Sequence, residues 1–130
     1  MLRNTFLVIA GVLLIGNTAN AQYRDHRDGE QYRRSRVTLN RVIADLDRLA
    51  PRVGYLPDFE LRRLDMVRQR LGSLDRKMER GRFDAEDVNQ ATRGLREFTD
   101  RARLRPRDRA VVDDCLIRLR EFRDRFERRT

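Results

Sequence analysis

The chain has 130 residues, 39% of them charged, with 30 basic against 21 acidic side chains and a formal charge of +9. That length suits one domain with a modest core and argues against a second, and the single cysteine, Cys115, excludes an intramolecular disulfide framework. With one histidine, His26, in a polar stretch, the chain lacks the converging ligands of a zinc site, so neither a metal nor a cofactor is expected.

Residues 1–21 read as an export signal. Arg3 supplies the cationic start, Phe6 to Ile15 the apolar run, and Ala19-Asn20-Ala21 the small-residue cleavage site, so processing after Ala21 leaves Gln22 as the new N-terminus. The apolar run falls well short of the ~20 residues that a membrane-spanning helix needs, so the mature chain is expected to carry no transmembrane segment. The expected location is the periplasm of a bacterial source, with full secretion as the alternative. Without Arg3, 29 basic residues face 21 acids and the mature charge is +8.

Residues 22–29 are rich in charge and almost without aliphatic side chains, and are expected to be a disordered tail. A single helical domain is predicted over 30–130. In its first helix, Val37, Val42, Ile43, Leu46 and Leu49 recur at helical spacing before Pro51, Gly54 and Pro57 stop it. Asp58 is the expected N-cap of the second, whose stripe is Leu64, Val67, Leu71, Leu74 and Met78, with Gly81 as C-cap.

Asp84 should cap the third helix, with Asp87 three residues on in the outline of a capping box, and Val88, Ala91, Leu95, Phe98 and Ala102 form its stripe. Gly94 inside that helix suggests close backbone approach. Pro106 opens the fourth, which carries Val112, Cys115, Leu119, Phe122 and Phe126, widened by Val111 and Leu116. Pairs four residues apart are expected at Glu97 and Arg101, Glu121 and Arg125, and Asp124 and Arg128. Four amphipathic stripes with short connections predict an all-α antiparallel up-down bundle, of four helices or of three plus a crossing N-terminal helix.

No pattern of nucleophile, base and oxyanion donor is present, and adjacent acids such as Asp113 and Asp114, or Glu86 and Asp87, diverge by about 100° on a helix. The chain is therefore read as not an enzyme. Cys115 lies within an apolar stripe and is read as core, with an intermolecular disulfide or a reactive thiol as alternatives; Asp113 and Asp114 beside it disfavour the thiolate.

Arginine supplies every basic side chain except Lys77 and alternates with acids along each segment, as on a solvated helix surface. The C-terminal segment is the most basic, and Arg118, Arg125 and Arg129 can share one face, so they form the candidate partner-binding surface. Tyr23, Tyr32, Tyr55 and Phe59 cover the bundle ends or line a peptide groove. The functional expectation is an exported, non-catalytic helical protein that binds an anionic or partly unfolded partner, either an unknown protein or an anionic envelope component. The alternatives are a self-associating homo-oligomer and a nucleic-acid module, the latter disfavoured by export and by the lack of interleaved aromatic side chains.

Overall fold

The computed structural model describes residues 29–128. The chain divides into two units between Arg34 and Ser35. Of the first, residues 29–34 are described and are helical, Gly29 included. The expected export signal and its cleavage point, the tail residues 22–28 with Tyr23 and His26, and Arg129 lie outside the described residues.

Among the described residues the fold is all-α, with four helices: α1 over 29–49, α2 over Asp58–Glu79, α3 over Ala85–Arg101 and α4 over Pro106–Glu127. A short 3₁₀ turn at Ala50–Val53 follows α1, with Pro51 in its first positions. From Ser35 on, the helices run up and down in sequence order. Arg36 near the start of the bundle part of α1 pairs with Asp75 and Glu79 near the end of α2, while Asp47 near the end of α1 pairs with Arg68. That antiparallel register makes α1 a full member of a four-helix bundle and not a crossing segment. Arg118 to Asp45 ties α4 to the other side of α1, and Phe83 against Phe122 and Phe126 ties the start of α3 to the end of α4.

The stripes on α2 and α3 are buried throughout, as their steps of three and four require when a helix is covered along one face. On α4, Val112, Cys115, Leu116, Leu119 and Phe122 are buried and Phe126 is half-buried. On α1 the reading needs correction. Leu39, Val42, Leu46 and Leu49 form the buried stripe, whereas Val37 is 50% exposed and Ile43 only half-buried. Residues two apart on a helix point about 200° from each other, so Val37 and Leu39 cannot both face the core.

The helix ends follow mostly from local chemistry. Gly81 adopts φ +79°, and Gly81 N–H donates to Met78 O and Arg82 N–H to Lys77 O, the paired bonds of a Schellman stop. At the start of α3 the Asp84 carboxylate accepts the Glu86 N–H at 3.0 Å. Asp87 turns instead to Lys77, whose Nζ donates to Asp87 at 2.7 Å and to Asp84 at 2.9 Å, so the sole lysine clamps the α2–α3 corner.

Those two carboxylates raise the Lys77 ammonium, Asp87 most, and the Lys77 hydrogen bond draws the Asp84 carboxyl below its usual range. Asp84 therefore favours folding above its unfolded pKa and loses that contribution as pH falls through the lowered folded value. The contribution of Lys77 is lost only as pH rises through its raised one.

Two local expectations fail. Asp58 makes no capping bond, because Pro57 itself takes the extended N-cap conformation and Asp58 is already the first helical residue. Its charge acts there only on the helix dipole. Among the described residues the pairs four apart are Asp114 with Arg118 and Arg123 with Glu127 on α4, not Glu121 with Arg125, Asp124 with Arg128 or, on α3, Glu97 with Arg101.

Candidate functional site

One end of the bundle is fastened by a buried carboxylate. Asp108, 3% exposed in the first turn of α4, accepts a 2.9 Å hydrogen bond from Tyr55 Oη and faces Arg52 at 3.2 Å, both from the α1–α2 connection. The same Tyr55 hydroxyl accepts the backbone N–H of Arg105 at 3.0 Å, and the Arg105 guanidinium lies 4.4 Å from the ring centroid. In a capping box the third helical residue reaches back to the N-cap N–H; here a tyrosine hydroxyl from a distant connection bridges the two. Tyr55 satisfies Asp108 Oδ2, while Oδ1 has the Arg52 charge beside it but no hydrogen bond, so the clasp joins the α1–α2 connection to the start of α4.

Cys115 is fully buried. Loss of hydration pushes its thiol up to about 12, with the carboxylates of Asp45 and then Asp114 adding to the rise and Arg118 opposing it. The thiol thus stays protonated near neutral pH, and a linkage to a second chain would first require the helix to open. Native protein is therefore expected to resist thiol-labelling reagents for as long as it stays folded, then react fully in denaturant. Stoichiometric labelling of native protein within seconds would contradict this placement.

The arginines singled out on α4 stand in unlike surroundings. Arg118 is drawn into ion pairs with Asp45 at 3.3 Å and Asp114 at 3.1 Å, so much of its charge is answered within the bundle. Arg125 is exposed.

A different surface brings charge and apolar area together. A groove of about 400 Å³ runs between α2 and α3, with α2 contributing Phe59, Arg62, Arg63, Met66, Val67 and Arg70 and α3 contributing Gln90, Arg93, Gly94 and Glu97. Phe59 is 58% exposed and Met66 57%. They lie seven residues apart on α2, about 100° round from its core stripe, on the edge facing α3. The opposite edge of α2, carrying Arg68, Asp75 and Glu79, is satisfied by ion pairs with α1.

Gly94 sets how closely α2 and α3 meet beneath the groove. A Cβ there would stand 3.0 Å from a Val67 methyl carbon, so the two helices approach where one of them has no side chain. Among the described residues Arg62, Arg70 and Arg93 form no ion pair, while Arg63 faces the buried Glu60 at 3.8 Å and Gln90 donates to Glu86 at 2.8 Å.

No protein-family model, curated protein or solved structure matches the chain.

The case for the groove therefore rests on its own chemistry. Three cationic side chains without carboxylate partners stand around a strip of exposed apolar surface, an arrangement that costs hydration while empty and suits a partner carrying both negative charge and apolar side chains. Of the groove residues the sequence reading named Phe59 as an end cover or groove lining, Gly94 as a point of close approach, Val67 as core and Glu97 as a pair with Arg101, and did not reach Arg62, Met66, Arg70 or Arg93. The signal that could have found them is a second apolar spacing of seven, Phe59 to Met66, interleaved with arginines outside the core stripe. No group of three or more His, Cys, Asp or Glu side chains among the described residues could hold a metal ion, and no helix among them is long and apolar enough to cross a membrane.

Proposed function

We propose that the protein is exported to the bacterial envelope or beyond, as a non-catalytic helical protein that binds an anionic or partly unfolded partner through a basic helix surface. The observation that carries this reading is the α2–α3 groove, where Arg62, Arg70 and Arg93, which form no ion pair among the described residues, stand beside the exposed Phe59 and Met66. Unpaired exposed arginines attract a negative partner and speed its encounter, and the apolar strip then holds it by excluding water.

Export rests on the pattern of residues 1–21, which has the charged start, apolar run and small-residue site of a cleaved signal. The periplasm is the proposed destination, with full secretion as the alternative.

The test is co-sedimentation of the protein, as an exporting host processes it, with envelope fractions across a salt series, with duplex DNA alongside. Binding to the envelope fraction that weakens as salt rises is the expected result. No binding at low salt would overturn the reading, and preference for DNA would replace it with the nucleic-acid alternative.

A further inference from the structure

The α2–α3 groove has a shape as well as a charge, and the shape narrows the partner. A smaller cleft lined by Met66, Gln69, Arg70, Ser73 and Asp87 continues from it along α2, sharing Met66 and Arg70. From Phe59 to Ser73 the combined strip is about 21 Å long at 1.5 Å per residue. Its apolar surface is Phe59 and Met66 beside Val67, where Gly94 lets the two helices close, and the continuing cleft is polar apart from Met66.

Building on the basic-surface reading, we infer that the α2–α3 groove is the docking site for an acidic amphipathic segment of another protein. About four helical turns of such a segment would match the strip in length. Its apolar side chains would lie on Phe59 and Met66, in the way a helix seats its anchors three and four residues apart in a groove. Its carboxylates would reach Arg62 and Arg70 on one wall and Arg93 on the other.

Three features favour a protein segment over other anions. Glu97 in the groove and Asp87 in the cleft that continues it interrupt the cationic lining, so the field is mixed, which suits a segment of spaced charges and apolar side chains better than the unbroken phosphates of a lipid surface or a nucleic acid. The apolar side chains line a groove between two helices, which fits one face of a chain and not a planar bilayer. Phe59 is the single aromatic side chain present, too few to stack successive bases.

The experiment is a fluorescence-anisotropy titration of the protein with labelled peptides of about 14 residues. The first carries leucines at steps of three and four among glutamates; a second has lysine for each glutamate, and a third serine for each leucine. The first is expected to bind at least about tenfold more tightly than either of the others. Arg62→Glu with Arg70→Glu should weaken it by about tenfold, since two attractive pairs become repulsive, and Phe59→Ser with Met66→Ser should weaken it comparably. Phe59, Arg62 and Met66 are exposed and Arg70 is half-buried, and helicity and the unfolding midpoint serve as folding controls. Arg125→Ala should leave binding within about twofold.

Equal binding of the acidic and lysine peptides, or affinity unaffected by the groove variants, would overturn the inference. So would phosphatidylglycerol vesicles that bind through Arg62 and Arg70 while the acidic peptide does not, or a dimer of the protein alone that those two changes dissolve. Loss of peptide binding with salt-sensitive envelope binding intact would reject this partner and leave the basic-surface reading standing. Loss of both would reject the reading itself.

Discussion

Phe98→Ala should lower the unfolding free energy by about 3–5 kcal/mol, the usual cost of emptying a fully buried aromatic site. Phe98 is wholly buried on α3, the helix that packs against both α2 and α4. The removed ring leaves a cavity that neighbouring helices fill only by shifting, and tight cores resist such shifts. A domain of this size has about 5–15 kcal/mol in total, so the variant should stay helical at low temperature yet unfold at a much lower urea concentration. A loss below about 1 kcal/mol would mean that the ring is not buried as described.

Tyr55→Phe should cost about 1–3 kcal/mol although it deletes one oxygen atom from a residue that is itself partly exposed. The lost hydroxyl serves two groups at once, the buried Asp108 carboxylate and the Arg105 N–H at the start of α4. Without it, the carboxylate keeps Arg52 but loses its shortest donor, and the helix loses its bridged cap. The same urea measurement checks this. Tyr55→Phe with wild-type stability would show that water replaces the hydroxyl freely and that the clasp contributes nothing.

How far the fold could be read from the chain depended on the range of each interaction. The stripes of α2 and α3, the Gly81 stop, the Asp84 cap and the Pro106 start are decided by side chains within a few residues of each other, and periodicity or capping chemistry exposes them. Val37 misled because two apolar residues, Val37 and Leu39, offered rival registers, and only the position of the neighbouring helices chooses Leu39. Asp58 misled because a proline one position earlier took the N-cap place.

The site was less legible than the fold for the same reason. The Tyr55–Asp108 bond joins residues 53 apart, and no local rule brings them together. Arg118 lies on the outer part of its helix in sequence terms, yet Asp45 from α1 meets it once the helices pack. Conversely, the groove arises only when Gly94 of α3 comes opposite Val67 of α2, leaving Phe59, Met66 and three arginines around the gap. Helical spacing could place Phe59 and Met66 on one edge. It could not say that the edge faces α3 and stays uncovered while the other edge is filled by ion pairs with α1.

The most direct test of the central claim compares two pairs of changes in the salt-series co-sedimentation: Arg62→Glu with Arg70→Glu in the groove, and Arg118→Ala with Arg125→Ala on α4. If the groove is the binding surface, the first pair should abolish the salt-sensitive binding to envelope fractions and the second should leave most of it. If the α4 pair abolishes binding and the groove pair does not, the basic surface lies on α4 and the assignment of the groove is wrong.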